Sequence, residues 1–284
     1  MENVTNDSQP AEYLEMLLDY LACPIDNTIP LSAVRDASGK VTALKSRNAE
    51  YPIIHNVPCL IPKLEDSTKG NLPRWKRSQK KMWQEYQEGD KGIFTAEDNK
   101  MARRYGEIIA QSGGGLYLDV GCGALSWPMY MASSSDCVRW IGVDPFFGDA
   151  VRRFPFVQGL GEYLPFLPEV FDGAFYASTI YYLLDPQRSL KRVHSILKPL
   201  GKLFVFFHAS RVGRRYLIWR VLRVLGFSQM FSEYCQWAFT PRSLRAQVER
   251  AGFSVENIVF LCEECSDFST CKSRNEYLVI ARRT

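Results

Sequence analysis

The spacing of hydrophobic positions divides the chain into segments of different pattern. Near the start, apolar side chains recur at helical spacing at Leu14, Leu17, Leu18 and Leu21. An alternating, proline-punctuated stretch from Tyr51 to Pro62 is typical of short strands. We therefore predict a flexible N-terminus over residues 1–12 and a small α+β unit over residues 13–62.

The next stretch, from Lys63 to Lys81, is rich in Lys, Arg, Gly, Pro and Ser. That composition is typical of a linker that leads into a helix. Residues 63–94 are therefore predicted to form a linker and a lid helix. Trp83 and Tyr86 are the candidate side chains of this lid.

Residues 95–284 carry short apolar runs that alternate with helical patterns. A first helix, with Met101, Tyr105 and Ile109 on one face, should stop at the glycine run 113–115. The predicted strands are Leu116–Val120, Val138–Val143, Phe156–Val157, Gly173–Ala177 and Lys202–Phe207. Strands that alternate with helices form a mostly parallel sheet covered on both faces. We therefore predict a Rossmann-like, doubly wound α/β fold for this domain.

Two helix starts and one hairpin can also be predicted. Asp185 and Thr240 each precede a proline, and an N-cap followed by a first-turn proline begins many helices. The last apolar runs, Val255–Cys262 and Glu276–Ala281, are joined without a helical pattern. They should form an antiparallel hairpin at one edge of the sheet.

Composition narrows the class of protein. The 284 residues are 46% apolar and 23% charged, as in globular proteins, and a net charge of +4 is too small to indicate nucleic-acid binding. No apolar run reaches the ~18–20 residues of a membrane span, and Met1–Pro10 lacks the features of a signal peptide. Eight scattered cysteines suit a reducing compartment. We therefore expect a cytoplasmic protein.

A glycine-rich bend follows the first predicted strand of the large domain. Gly121 and Gly123 let the backbone turn tightly, so that a ligand can approach main-chain N–H groups at a helix start. The second strand ends at Asp144, where a carboxylate commonly binds ribose hydroxyls in this topology. This order of features indicates a site for an adenosine-containing ligand.

Five segments resemble, in the right order, the class I S-adenosylmethionine-dependent methyltransferases, in particular those that act on small molecules and lipids. Asp119–Gly123 is similar to their first motif, and Asp144-Pro145 to the acidic end of their second strand. The other three segments are the adenine loop Gln158–Phe166, the fourth strand Phe171–Phe175 and the turn into the fifth strand Leu197–Leu203. The resemblance implies S-adenosyl-L-methionine as the cofactor.

The resemblance also implies a role for each matched position. Residues 121–123 would lie against the methionine portion and ribose, with Asp119 orienting them, while Asp144 would hold the ribose diol. Loop 160–162 would flank the adenine, and the Ser178 backbone would lie near the methionine ammonium. The implied cofactor-binding residues are Asp119, Gly121, Cys122, Gly123, Asp144, Pro145, Leu160, Gly161, Glu162 and Ser178.

Three positions depart from the pattern of the family. Leu125 occupies the place of a frequent third glycine, and Leu160 replaces an acid that commonly contacts the adenine amino group. The stretch 144–158 is several residues short, which predicts a truncated helix after the second strand.

Methyl transfer from a sulfonium is an in-line displacement, in which the protein supplies alignment and excludes water. A general base is needed mainly for a hydroxyl acceptor. His208 follows the fifth strand and is the best base candidate, while Tyr181 and Tyr182 follow the fourth strand and are candidates to line the acceptor pocket. His194 is expected to be solvated on a helix, and His55 belongs to the first unit.

A predicted cap insertion, residues 211–239, separates the fifth strand from the helix at Thr240. One helical face is apolar, and the other interleaves Arg215, Arg220 and Arg223 with aromatic side chains. Insertions of this kind cap the acceptor site in the family. The basic face is either solvated or suited to an anionic or lipid-linked acceptor, which would allow peripheral membrane contact.

The first unit resembles the small zinc-ribbon proteins that activate tRNA and protein methyltransferases. Tetrahedral zinc would require two Cys-x-x-Cys pairs, but of these only Cys23 is present, with Asp26, Leu44 and Arg47 at the other positions. We therefore expect no metal, and a docking role for the unit. A site at Cys262, Cys265 and Cys271 lacks an evident fourth ligand.

The leading hypothesis is a methyltransferase that acts on an O or N atom of a small molecule, such as a sugar, a lipid-linked compound or a natural product. The basic run Arg74–Lys81 keeps an RNA methyltransferase as an alternative, although such a run is usually a solvated face and nucleic acid is not favoured. A non-catalytic subunit that binds the cofactor and activates a partner is a third reading. The sequence leaves the oligomeric state open.

Overall fold

The computed structural model describes residues 9–64, 72–87, 100–147, 151–209, 235–261 and 276–284. Most of the predicted cap insertion therefore lies outside the described residues, as do Cys262, Cys265 and Cys271. The side chain of Tyr86 lies outside them too.

A seven-stranded sheet forms the centre of the larger domain, with the spatial order β10-β11-β9-β8-β5-β6-β7. Its strands are β5 (Gly115–Val120), β6 (Val138–Asp144), β7 (Phe156–Gln158), β8 (Phe171–Ala177), β9 (Leu197–His208), β10 (Phe253–Phe260) and β11 (Glu276–Arg283). Strands β5 to β9 pair in parallel. The predicted Rossmann-like, mostly parallel fold is confirmed.

The final hairpin is antiparallel, as predicted, and β11 lies inside the sheet between β9 and β10. Strand β9 begins earlier than the predicted Lys202, because Leu197 already pairs with Phe171. The register shifts between Phe171 and Gly173, and Leu200 on β9 has φ 65°.

The helices of this domain are α3 (Lys100–Gln111), α4 (Met129–Ala132), α5 (Pro186–Ile196) and α6 (Pro241–Arg250). Asp185 and Thr240 cap α5 and α6 through their side chains, which confirms both predicted starts. The helix start expected at the glycine bend is wrong, because α4 begins only at Met129 and has four residues. Among the described residues from 145 to 155 there is no helix, in line with the short spacing there.

The N-terminal unit contains helix α1 (Ala11–Leu18) and a four-stranded antiparallel sheet. The strands are β1 (Ser32–Arg35), β2 (Val41–Lys45), β3 (Glu50–Ile54) and β4 (Val57–Pro58). Its apolar side chains belong to the same buried cluster as the larger sheet. The predicted flexible stretch 1–12 ends earlier than expected, because Gln9 is fully buried.

The N-terminal unit docks along the outer side of β7. Leu60 donates its backbone N–H to Gln158 at 2.8 Å, and the Gln9 side chain accepts the backbone N–H of Phe156 at 2.9 Å. On another side, Arg192 of α5 donates to Asn27 and to the carbonyl of Pro24. The unit is therefore joined to the larger domain by backbone and side-chain bonds as well as by a shared core.

Helix α2 (Leu72–Gln87) follows the N-terminal unit within the predicted linker and lid segment. Leu72 and Trp75 are buried against Leu160, Tyr163 and Leu184 of the larger domain. The helix thus packs at the carboxyl ends of the parallel strands. No helix among the described ranges is long and apolar enough to cross a membrane.

Candidate active site

The glycine bend lies at the carboxyl end of β5, the central strand of the parallel sheet. Gly121 has φ 79°, and a Cβ there would lie 2.2 Å from Cγ2 of Thr179. Thr179 Oγ1 donates to the carbonyl of Gly121 at 3.1 Å, which ties the bend to the loop after β8. A side chain at position 121 would therefore be strained in conformation and in space.

Asp144 lies one strand away and faces the bend. Its Oδ2 accepts the backbone N–H of Gly123 at 2.9 Å, and Oδ1 accepts that of Phe146 at 2.8 Å. Each carboxylate oxygen has a further lone pair, so both remain able to accept a ribose hydroxyl. Burial raises the pKa of Asp144 to about 6, against the lowering effect of these two bonds. The predicted partnership between the bend and this acid is present in the fold.

Asp119 lies beneath the bend and is fully buried. Its Oδ2 accepts the hydroxyl of Tyr130 at 2.5 Å, whereas among the described residues Oδ1 has no hydrogen-bond partner. Burial, together with the nearby charge of Asp144, raises the pKa of Asp119 to about 7. A buried carboxylate oxygen without a partner is costly, and a cationic ligand in the bend would reduce that cost.

Arg152 is a buried cation that the sequence reading did not identify as part of the site. Its side chain is 1% exposed and donates to the carbonyls of Gly123 at 2.9 Å and Phe147 at 2.5 Å. The guanidinium also lies 3.6 Å from the ring centre of Phe156. The pKa of Arg152 is lowered, because the effect of burial exceeds the opposing effects of the neighbouring Cys122 and Asp144. Arg152 thereby links the glycine bend to the loop after β6.

The predicted adenine loop lies under helix α2. Leu160 is buried beside Trp75, whose indole N–H donates to the carbonyl of Tyr182 at 3.0 Å. The Glu162 carboxylate accepts the backbone N–H groups of Leu184 at 2.6 Å and Asp185 at 3.1 Å. Burial raises the pKa of Glu162. The Glu162 side chain is therefore committed to shaping the loop and to the start of α5.

Two further contacts lie near the predicted cofactor site. The candidate lid residue Trp83 stacks on Phe146, with ring centres 5.1 Å apart. Ser178 has φ 59° and donates its backbone N–H to Phe206 at 3.2 Å. A non-glycine residue in this conformation is uncommon and often marks a functional loop.

Cys122 and Pro145 differ from Asp144 in the contacts that they make. Cys122 is buried in the core, and its Sγ would lie 2.7 Å from a Cβ at Gly142, so only its backbone faces the bend. Burial raises the pKa of the Cys122 thiol well above its usual range. The carbonyl of Pro145 accepts the Gln158 side chain at 3.0 Å, which links β6 to β7.

The acceptor candidates lie at the ends of β8 and β9. Tyr181 is buried and lies 4.6 Å from Tyr182 between ring centres. The described end of the insertion returns here, because Gln236 donates its backbone N–H to the carbonyl of Tyr181 at 2.8 Å. His208 ends β9 and packs against Phe206 at 5.2 Å. All three candidates therefore lie at one edge of the sheet.

The other two histidines lie elsewhere. His194 was expected to be solvated, but this is wrong, because its ring packs on Phe253 at 5.1 Å and its Nε2 atom is buried. Burial, and then the charge of Arg283, lower the pKa of His194. His55 lies in the N-terminal unit, 6.5 Å from Phe147.

The positions related to a zinc ribbon lie in the N-terminal unit and make contacts of other kinds. Cys23 Sγ lies 3.9 Å from the Tyr51 hydroxyl, and Leu44 is fully buried in the core. Asp26 accepts the hydroxyl and backbone N–H of Thr28 instead of lying beside a second cysteine. In the part of the chain that the structure describes, no group of three His, Cys, Asp or Glu side chains is arranged to hold a metal ion.

The glycine bend, the acid on the neighbouring strand and the antiparallel hairpin belong to a Rossmann-like fold with a ligand-binding bend at its strand ends. Residues 118–205 match the sequence model of a family described as a methyltransferase domain. No curated protein matches the chain by sequence.

Several solved structures are similar to this chain. The 1,6-didemethyltoxoflavin N1-methyltransferase of Burkholderia thailandensis is 14% identical, over 86% of this chain and 100% of its own, with a TM-score of 0.53. An S-adenosylmethionine-dependent methyltransferase of Mesorhizobium loti is 17% identical, over 68% of this chain and 100% of its own, with a TM-score of 0.46. One of Thermotoga maritima is 23% identical, over 74% and 99%, with a TM-score of 0.43.

The family match covers residues 118–205, less than half of the chain, and the likeness to the Burkholderia thailandensis structure shows a shared fold. That structure holds S-adenosylhomocysteine, the demethylated product of S-adenosylmethionine, which makes S-adenosylmethionine the candidate cofactor of this site. The residues present fit this cofactor. Positive φ angles at Gly121 and Gly123 form a cradle without side chains, and the unpartnered oxygen of Asp119 lies beneath it. A sulfonium with an ammonium group suits a site that contains two buried carboxyls.

The sequence did not reveal the residues that contact the glycine bend from distant positions in the chain. Arg152 and Thr179 are tied to the bend from 29 and 58 positions away, respectively. Tyr130 binds Asp119 from α4. The only local signal for Arg152 is a pair of arginines, Arg152 and Arg153, in the otherwise apolar segment Val151–Val157. That pattern does not distinguish the buried Arg152 from the exposed Arg153.

Proposed function

We propose that this protein transfers a methyl group from S-adenosylmethionine to an O or N atom of a small-molecule acceptor, such as a sugar, a lipid-linked compound or a natural product. Gly121, Gly123 and Asp144 hold the methionine and ribose portions. The loop 160–162 flanks the adenine, and Ser178 lies by the ammonium group.

The bound cofactor supplies an electrophilic methyl group. The chain's own residues then have to align the acceptor with that methyl and exclude water. Tyr181 and Tyr182 provide an aromatic wall, and His208 lies at the same edge as a proton acceptor. Leu160, Trp75 and Trp83 keep solvent from the cofactor side.

The observation that carries the proposal is the cover that helix α2 forms over the strand ends. Trp75 donates to the carbonyl of Tyr182, and Trp83 stacks on Phe146, so the same helix contacts both sides of the site. A covered site suits a small acceptor better than a long polymer. The similar structure from Burkholderia thailandensis is named for a small-molecule acceptor, and this adds support.

Calorimetry with S-adenosylmethionine and its demethylated product S-adenosylhomocysteine tests the proposal. The wild-type protein should bind both, and Asp144→Ala should lose about tenfold or more in affinity, as expected for a lost hydrogen bond to a charged group. Asp136→Ala is the matched control, because Asp136 is an exposed acid near the opposite end of β6. If the wild-type protein binds neither ligand, the proposal fails.

Two further measurements separate the alternatives. An RNA acceptor would give RNA binding that weakens steeply with salt, whereas a small acceptor would not. A non-catalytic subunit would bind the cofactor, methylate none of a broad panel of metabolites, and co-purify with a second methyltransferase.

A further inference from the structure

An acidic side chain outside the cofactor site lies against the candidate base. Glu276 is the first residue of β11, and His208 is the last residue of β9. The two are direct partners in the antiparallel register. Nδ1 of His208 lies 3.3 Å from Oε1 of Glu276, and the side chains are 37% and 1% exposed, respectively.

We propose that Glu276 is a positioning residue that holds His208 with Nε2 towards the acceptor, and that the acceptor is therefore a hydroxyl group whose proton His208 removes. This inference rests on the proposed methyltransferase function and narrows its acceptor from O or N to O.

The geometry gives each member of the pair a distinct task. Nδ1 of His208 lies beside the carboxylate at an ion-pair distance that is not itself a hydrogen bond. A small rotation of either side chain directs a hydrogen on Nδ1 at Oε1, and a neutral imidazole then has its lone pair on Nε2. The carboxylate is buried, and an isolated buried charge is costly. An imidazolium formed beside it offsets that cost at the moment when the base is protonated.

The surroundings of the pair agree with a site for an acceptor. Phe206 packs edge-on against the His208 ring at 5.2 Å. Tyr181, in the loop after β8, interacts electrostatically with Glu276 and packs against Tyr182. Burial, together with the charges of Cys235 and Glu276, raises the pKa of its phenol beyond its usual range. Tyr181 therefore stays protonated near neutral pH and can donate to an acceptor oxygen.

The reaction balances without another reactant. The acceptor oxygen forms a bond to the methyl carbon, and the methyl–sulfur bond breaks with its electron pair left on sulfur. The acceptor proton moves to Nε2 of His208 and is later released to water. A neutral amine would not need this transfer during attack, so a built base favours a hydroxyl.

Imidazole ¹⁵N chemical shifts in nuclear magnetic resonance test the pairing without any acceptor. The chain has three histidines, so His55→Gln and His194→Gln assign the His208 signals by elimination. In the wild-type protein, neutral His208 should carry its proton on Nδ1. Glu276→Leu should move the proton to Nε2, and Glu276→Gln should keep it on Nδ1 through the amide oxygen. A wild-type proton on Nε2 would overturn the proposal.

A rate measurement tests the acceptor class. With methyl-labelled S-adenosylmethionine, 4-methylphenol should yield a labelled ether, and His208→Gln should slow that product by about 10²–10⁴-fold. Label found only in the matched amine 4-methylaniline, at a rate that His208→Gln leaves unchanged, would contradict the proposal.

Calorimetry on the same variants distinguishes failure of the proposed His208–Glu276 pairing from failure of the proposed methyltransferase function. His208→Gln, Glu276→Gln and Glu276→Leu should bind S-adenosylhomocysteine like the wild-type protein. If the cofactor binds but the proton lies on Nε2, the paired base is wrong and the methyltransferase proposal stands. If the wild-type protein does not bind the cofactor, the methyltransferase proposal itself fails.

Discussion

The two halves of the site are built in different ways. The proposed cofactor half, at the ends of β5, β6 and β7, consists of backbone groups and buried charges that are linked by hydrogen bonds, as between Gly123 and Asp144. The proposed acceptor half, at the ends of β8 and β9 and the start of β11, consists of aromatic rings and the half-buried His208. A cofactor that stays the same can be bound by a rigid backbone site. The choice of acceptor depends on side chains that can vary without disturbing that backbone site.

A substitution at Gly121 should break the cofactor half most severely. A Cβ at this position would meet Thr179 at 2.2 Å, and φ is 79°. Gly121→Ala should therefore weaken S-adenosylmethionine binding by about 100-fold or more, measured by calorimetry. Gly39→Ala is the control, because Gly39 has φ 86° with nothing within 4 Å of a new Cβ. Equal losses in both variants would contradict a spatial role for Gly121.

Removal of Arg152 should loosen the link between the bend and the loop after β6. Arg152→Met leaves the carbonyls of Gly123 and Phe147 without their buried cationic donor. We expect about 10- to 100-fold weaker S-adenosylmethionine binding, with folding retained by circular dichroism. The neighbouring exposed Arg153 provides the control variant Arg153→Met. Unchanged affinity in Arg152→Met would show that the glycine bend keeps its shape without the hydrogen bonds of Arg152.

The cofactor half should also respond to pH. The pKa is about 7 for Asp119 and about 6 for Asp144, and a cationic ligand binds best when both are ionised. Affinity for S-adenosylmethionine, measured by calorimetry, should therefore rise about tenfold between pH ~5.5 and ~8. Asp119→Asn should flatten that profile. A flat wild-type profile would contradict a direct electrostatic role for these acids.

Stability without ligand should change in the opposite direction. Because folding raises the pKa of Asp119 from 3.8 to about 7, the folded state binds the proton more tightly than the unfolded state. The contribution of this group is fully present below about pH 4 and is lost as pH rises through about 7. Asp119→Asn should therefore melt at a higher temperature than the wild-type protein at pH ~8, measured by calorimetry.

The smallest effect is expected where the lid helix contacts the acceptor half. Trp75→Phe keeps an aromatic ring but removes the donor to the carbonyl of Tyr182. The free energy of unfolding should fall by about 1 kcal/mol, a loss of roughly 2–4 °C in melting temperature. Trp127→Phe, at a more exposed indole, should change less. An equal change in both would argue against an anchoring bond at Trp75.

The difference between the halves also explains what the sequence could predict. Asp119, Gly121 and Asp144 are recognisable because strand ends and a glycine bend are local patterns, and the parallel order brings them together. Glu276 pairs with His208 across 68 positions through the register of β9 and β11, and no local pattern signals that pairing. The direction of the Cys122 side chain, into the core, depends likewise on tertiary packing against Gly142.

The docking of the N-terminal unit has a consequence for the solubility of the larger domain. Strand β7 ends the seven-stranded sheet, and its outward N–H and C=O groups at Phe156 and Gln158 are taken up by Gln9 and Leu60. An open strand edge is a template for pairing with other chains. By pairing with this edge, the small unit is expected to protect the seven-stranded sheet from aggregation.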